Sequence, residues 1–175
     1  MKICKRPIVS IGICVKNCET SIKEAVESVL AQDFPHKSME VIFVNDGSED
    51  KTLTVIKYCI SRMDMRTRLY NSEWRGLGPA RNVVVDNAIG DYIVWIDGDM
   101  ILPRDHVRKQ VEFMEQNPKV GIAKARYGML PTESLVSFLE NIVDVTEDAY
   151  AEDEWKTNLR LPGTGGSIYR VKAIR

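Results

Sequence analysis

The sequence predicts an α/β fold with a mostly parallel sheet. Three observations carry that expectation. Short β-rich apolar runs alternate with helical patterns along the chain. The first of those runs is nearly continuous in apolar residues, as a strand covered on both faces is. Polar groups collect just after the runs, and that carboxyl edge is where ligands gather in an open α/β sheet.

Ile8 to Val15 reads as the first strand, interrupted only by Ser10 and Gly12. Ser21 and Glu24 have the spacing of a capping box, and Ile22, Ala25, Val26, Val29 and Leu30 then share one helical face. Phe34-Pro35 ends that helix. Met39 to Val44 is the second strand, stopped by Asn45-Asp46-Gly47-Ser48, and Leu53, Ile56, Ile60 and Met63 mark the inner side of the next helix. Arg68 to Asn71 is a short third strand. Gly76-Leu-Gly-Pro-Ala80 opens a helix whose Ala80, Val83, Val84 and Ala88 face inward, with Pro79 suited to its first turn. Tyr92 to Ile96 is the fourth strand. Pro103 and Pro118 bracket a helix buried through Val107, Val111 and Met114, and Val120 to Ala125 is the fifth strand. A long acidic helix is expected near 132–155, followed by the glycine-rich Gly163-Thr-Gly-Gly166.

Length sets the expectation of one domain spanning 1–175, large enough for a real core. A formal net charge of −1 argues against non-specific nucleic-acid binding. No apolar run reaches membrane-span length, and no signal-peptide pattern opens the chain. Lys2, Lys5 and Arg6 can meet an anionic surface or simply be solvated. Cys4, Cys14, Cys18 and Cys59 show neither disulfide-scaffold nor zinc-site spacing. They read as reduced thiols in a cytoplasmic protein, at most one working at the cytoplasmic face of a membrane.

The chemistry concentrates at strand ends. Lys16, Asn17 and Glu19 follow the first strand; Asn45, Asp46 and Ser48 follow the second. Arg75, Gly76, Gly78 and Arg81 follow the third, Asp97 and Asp99 the fourth, and Arg126 the fifth. Asp97 and Asp99 lie one residue apart at the end of an apolar strand, where alternate side chains share a face. Two hard oxygen donors there suit a divalent cation that keeps waters and reaches substrate phosphates. A plain Asp-Gly turn is the bland alternative. The Gly76-Leu-Gly78 element is no dinucleotide-binding fingerprint, since it lacks the third glycine and the acidic residue at the right offset.

The ordered set Val9-Ser-Ile-Gly-Ile-Cys-Val-Lys-Asn17, Val44-Asn-Asp-Gly-Ser-Glu-Asp-Lys-Thr52, Gly76-Leu-Gly-Pro-Ala-Arg-Asn82 and Asp97-Gly-Asp99 resembles the family-2 glycosyltransferases of the GT-A fold. Gly163-Thr-Gly-Gly-Ser-Ile-Tyr-Arg170 is similar to that family's later glycine-rich strand. The resemblance implies a Rossmann-like three-layer sandwich and an inverting, metal-assisted transfer of a sugar from a nucleoside-diphosphate sugar to an acceptor hydroxyl. It implies Val15 and Glu19 near base and ribose, Asp46 accepting from the base, and Arg81 approaching the nucleotide. It further implies Asp97 at ribose or metal, Asp99 as the main protein ligand of Mg²⁺ or Mn²⁺, and Arg126 near the diphosphate. Taken singly, Asp46 also suits a helix cap or turn, and Arg81 and Arg126 suit exposed surface. The acceptor is left open among lipid phosphate, glycan and small molecule.

Two departures stand out. The family usually ends its first strand in a Pro-x-Tyr-Asn run, whereas this chain has Cys14-Val-Lys-Asn17, and lysine cannot stack on a base as tyrosine does. The family's general base usually follows the glycine-rich strand by a few tens of residues, which places it beyond Arg175 and implies a truncated or minimal form. The acidic run Glu147 to Glu154, with Tyr150 and Trp155, reads better as a solvated helix face than as a substitute base. A catalytically incomplete nucleotide-sugar-binding module is therefore the main alternative. A haloacid-dehalogenase-like phosphatase is weaker, because its Asp-x-Asp belongs on the first strand. A calcium loop fails because Met100, Ile101 and Leu102 replace oxygen ligands.

Overall fold

The computed structural model describes residues 7–124 and 165–175. Contacts divide the chain into one unit, Met1–Ala125 with Thr164–Arg175, and a second, Arg126–Gly163. All described residues belong to the first. The basic residues 2, 5 and 6, Cys4, Arg126, the helix expected near 132–155 and Gly163 lie outside them.

Within the first unit the elements are β1 (Val9–Val15), α1 (Ile22–Leu30), β2 (Met39–Asp46), α2 (Thr52–Ile60), β3 (Arg66–Ser72), α3 (Leu77–Asn87), β4 (Tyr92–Ile96), α4 (His106–Gln116), β5 (Ile122–Lys124) and β6 (Ser167–Arg170). Short 3₁₀ turns lie at His36–Ser38 and Val171–Ala173. The strands form one sheet in the order β3-β2-β1-β4-β6-β5. The pairs β1–β2, β1–β4 and β2–β3 are parallel, while β6 runs antiparallel to both β4 and β5. The mostly parallel α/β sheet expected from the sequence is thus present.

Alternation along β1 separates the layers. Val9, Ile11, Ile13 and Val15 enter one core with buried residues of α1, α2 and α4. The intervening Ser10, Gly12 and Cys14 are small, so that the opposite face admits Trp95 and Val84 at close range. A second core there joins Ile42, Val44, Ile93 and Trp95 to Ala80 and Val84 of α3 and to Ala88 just after it. Every residue of β2 and β4 is buried, as near-continuous apolar strands between helix layers must be.

Several boundaries shift. β2 continues through Asn45 and Asp46, because their backbones pair with Val15 and with Asn71 and Ser72. β3 is longer than its apolar content suggested, being half-exposed at the sheet edge. β5 shrinks to three residues. The capping box does not form: Ser21 sits at the helix start in helical dihedrals, and its side chain caps nothing. The Glu24 amide bonds the Ser21 carbonyl instead, at 3.0 Å. At the amino edge of the sheet, Glu40 is buried and accepts from Ser10 Oγ, Arg68 Nη2 and the Ile89 amide at 2.5, 2.6 and 2.8 Å. A buried carboxylate with three donors ties β1, β2 and β3 together there.

Candidate functional site at the carboxyl edge of the sheet

Two kinds of wall rise from the carboxyl edge. The first joins the ends of β1 and β2. Asn17 adopts φ 53°, a left-handed conformation that asparagine tolerates better than most residues. That turn lets its amide donate to Ser48 Oγ at 2.9 Å while its Oδ1 accepts from the Glu49 amide at 2.9 Å. Ser48 Oγ donates on to Asn45 Oδ1, and Asn45 Nδ2 to Asn71 Oδ1, at 2.5 and 2.6 Å. The Cys18 amide bonds Thr52 Oγ1 at 2.7 Å, and Glu19 Oε2 accepts from the Lys51 amide at 2.8 Å. Asp50 accepts from the Thr52 and Glu19 amides at 2.9 and 3.2 Å. Desolvation pushes its carboxyl upward, but the bonds from Thr52 and Glu19 outweigh that and hold it below its ordinary value.

Asp46 extends this wall. It is buried, and its two oxygens accept the Arg75 and Gly76 amides, each at 2.8 Å. The glycine loop entering α3 is therefore suspended from the end of β2. The sequence offered Asp46 as a base acceptor or a capping residue; the structure shows it holding a loop some thirty residues away.

The second wall is built from β4, α3 and the turn before β6. The Arg81 guanidinium lies 5.8 Å from the centre of the Trp95 ring, and its Nη2 is 3.7 Å from Asp97 Oδ1. The Asp97 side chain is 46% exposed, and Asp99 is exposed. Burial raises the Asp97 carboxyl above its ordinary value, opposed by Arg81 and reinforced by Asp99. Gly165 closes over this wall: a Cβ on it would stand 2.5 Å from Asp97 Oδ2 and 2.9 Å from Met100 Cε. Beneath it, Gln110 Nε2 of α4 donates to the Gly166 carbonyl at 2.6 Å.

The edge thus brings Arg81, Asp97 and Asp99 together, with Asp46 near them across Cys14, while Glu19 is held apart at the β1–β2 wall by the Lys51 amide. Val15 contributes differently, since its side chain is buried against Gly98. Cys14 lies among Arg81, Asp97 and Asp46, yet burial pushes its thiol up to about 12. It stays protonated and is no nucleophile. Among the described residues no group of three or more His, Cys, Asp or Glu side chains converges as a protein-only metal cage. What Asp97 and Asp99 offer is two hard oxygens at an accessible edge, which fits a cation completing its shell with water and phosphate.

Sequence reasoning missed three contributors. Gly165 was noted only as part of a glycine-rich run, although such a run beside a carboxylate pair signals close backbone approach. Gln110 carried no signal at all. Trp74 stands 68% exposed on the β3–α3 loop, with Lys16 Nζ 4.1 Å from its ring centre; an aromatic just before a glycine loop could have marked it.

Comparison with known proteins matches this architecture. The sequence model of the family described as "Glycosyl transferase family 2" matches residues 10–175. An uncharacterized glycosyltransferase of Rickettsia felis is 38% identical over 109 residues, covering 62% of this chain and 17% of that protein. The mannosyltransferase PcManGT from Pyrobaculum calidifontis, solved with GDP-Man and Mn²⁺, superposes with a TM-score of 0.65 at 27% identity, over 70% of this chain and 36% of that one. Staphylococcus aureus TarS 1–349, solved with UDP-GlcNAc, superposes with a TM-score of 0.67 at 22% identity, over 95% of this chain and 46% of that one. The sheet and its flanking helices are the GT-A arrangement of these neighbours. The chain spans less than half the length of the curated relatives it matches first. On its fold, its ordered motifs and a family match over nearly its whole length, the chain belongs to glycosyl transferase family 2.

Proposed function

We propose that this chain is the donor-binding domain of an inverting glycosyltransferase that takes a sugar from a nucleoside diphosphate to an acceptor hydroxyl. The observation that carries the reading is the Asp97–Asp99 pair beside Arg81 at the carboxyl end of β4, under the Gly165 turn. The donor complexes of PcManGT and TarS support it, because both share this fold.

Asp99 and Asp97 are the residues that would hold Mg²⁺ or Mn²⁺. Such an ion, when bound, supplies positive charge to the diphosphate leaving group. The chain's own part is positioning and charge. Arg81, braced between the Trp95 ring and Asp97, offers a guanidinium to the diphosphate oxygens, where bond cleavage builds negative charge. Gly165 brings backbone against Asp97 and narrows water's access to it. Glu19 and Asp46 hold the loops that border base and ribose. None of the described residues is assigned as the general base.

Calorimetry with UDP-, GDP- and dTDP-sugars, with and without Mn²⁺, tests the reading. Metal-strengthened binding of at least one donor is expected, and no binding to any of them contradicts it. The second reading is a nucleotide-sugar-binding module without turnover. Donor hydrolysis or transfer by the chain would exclude that second reading.

A further inference from the structure

Gln110, in the middle of α4, is only 7% exposed, beside the apolar Val107, Val111 and Met114 that bury the same helix. Its carboxamide is half used. Nε2 donates to the Gly166 carbonyl at 2.6 Å, whereas Oε1 is buried with no hydrogen-bond partner among the described residues. A buried acceptor left unpaired costs stability that an apolar side chain of the same size avoids. Gln32, just after α1, shows the contrast. Its Oε1 accepts from the Val107 amide at 3.0 Å, and its Nε2 donates to the Ser28 and Pro103 carbonyls at 3.0 and 2.8 Å. Both ends of that carboxamide are satisfied; for Gln110 the single bond to Gly166 stands against an unpaired oxygen.

The helix carrying Gln110 is a firm mount. Gln32 ties its start to α1, and Arg170 of β6 donates through Nη2 to the Met114 carbonyl near its end at 2.8 Å. The target is held from the other side as well, since the Gly166 amide donates to the Trp95 carbonyl of β4 at 2.9 Å. Gly166 takes φ 67°, which glycine adopts without steric cost, and so its two polar groups are claimed by two different elements. The residue before it is Gly165, whose added Cβ would stand 2.5 Å from Asp97 Oδ2. The other oxygen of Asp97, Oδ1, is the one 3.7 Å from Arg81 Nη2. From Gln110 to Asp97 the path is one hydrogen bond, one stretch of glycine backbone and one close contact.

We propose that Gln110 is a positioning residue for Asp97. By holding the Gly166 carbonyl it keeps the Gly165 backbone against Asp97 and so fixes the carboxylate in the orientation that meets a cation. The inference rests on the nucleotide-sugar reading above and adds to it a residue that lies behind the site, on α4. Removing a group that orients a metal ligand typically weakens metal affinity or activity about 10–100-fold. Gln110 acts through a close contact rather than a bond to the carboxylate, which places it at the lower end of that range.

The test uses the whole chain as wild type, Gln110→Met and Phe113→Ala, Phe113 being an exposed residue of the same helix. UDP and GDP affinities are measured with Mn²⁺ and with chelator, and hydrogen exchange of the Gly166 amide is followed without metal. Methionine keeps the size of Gln110 and omits its donor, trading an unpaired Oε1 for an unpaired Gly166 carbonyl, so the melting temperature should change little. Gln110→Met is expected to cut the Mn²⁺ gain in affinity about tenfold and to leave the affinity with chelator within about twofold. The Gly166 amide should exchange about tenfold faster in that variant, as a locally opened turn does. Phe113→Ala is expected to change none of these. A Mn²⁺ gain kept within about twofold in Gln110→Met, an equal loss with Mn²⁺ and with chelator, or an equal loss in Phe113→Ala overturns the positioning role and leaves the donor reading intact. A Gly166 amide that already exchanges freely in wild type overturns it without any variant. Absence of a Mn²⁺ gain in wild type overturns the metal-assisted donor reading, and the role of Gln110 with it.

Discussion

The two walls of the carboxyl edge use the same residue type for opposite ends. On the β1–β2 wall, carboxylates are consumed by backbone: Asp46 takes two amides, Asp50 two, and Glu19 one. On the β4 wall, Asp97 has a 3.7 Å contact with Arg81 and Asp99 is exposed. A carboxylate whose oxygens already accept amide hydrogens stabilises the loops that donate them. Burial makes the charged form of Asp97 costly, while its half-exposed side chain stays available to a cation. The difference teaches that acidic residues at a ligand-binding edge divide into those that shape it and those that can act in it, and that partners decide which is which.

The comparison breaks most visibly at Asp46. Asp46→Ala leaves two amides without their charged acceptor, and hydrogen bonds to charged groups are worth about 1.5–3 kcal/mol each. A loss near 3 kcal/mol is expected, read as a lower urea midpoint at unchanged slope. Gly165→Ala should do the reverse. The added Cβ meets the tip of the Asp97 side chain, which can swing away, so thermal stability holds while metal-dependent nucleotide affinity falls about tenfold.

A smaller effect concerns His106, buried on α4, the helix that supports the Gly166 turn. Burial holds its pKa below the ordinary 6.5, with the Asp105 charge opposing. The native state therefore keeps it neutral while the unfolded chain takes up a proton. Stability from this group is full above the ordinary value and is lost as pH falls below it. His106→Leu should flatten that part of the melting-temperature profile. The smallest effect is expected at Asp97. Its raised carboxyl means that the ionised form is disfavoured in the fold, fully so above the raised value and not at all below the ordinary carboxylate range. Asp97→Asn should raise the melting temperature slightly at neutral pH, with no gain in acid.

How much of this could be read in advance depended on how local the cause was. The runs through Ile11, Val41 and Val94 announced buried strands because both faces of each are covered. Asp97-Gly-Asp99 stood out as a candidate site because its chemistry is written in consecutive residues. The antiparallel insertion of β6 between β4 and β5 was not legible, since strand direction leaves no mark on composition. The bonds of Asp46 to the Arg75 and Gly76 amides were not legible, because those partners lie 29 and 30 residues downstream. The contact of Trp74 with Lys16 was not legible for a related reason: the two are neighbours in space only.

The central claim is that the β4 wall acts and the β1–β2 wall supports it. Nucleoside-diphosphate affinity with Mn²⁺ and with chelator, measured on wild type and Asp99→Asn alongside their melting temperatures, tests it most directly. The account predicts that Mn²⁺ strengthens wild-type binding at least tenfold, and that Asp99→Asn loses that gain while melting as wild type does. Equal affinity with Mn²⁺ and with chelator, or an Asp99→Asn variant that keeps the full metal gain, would contradict it.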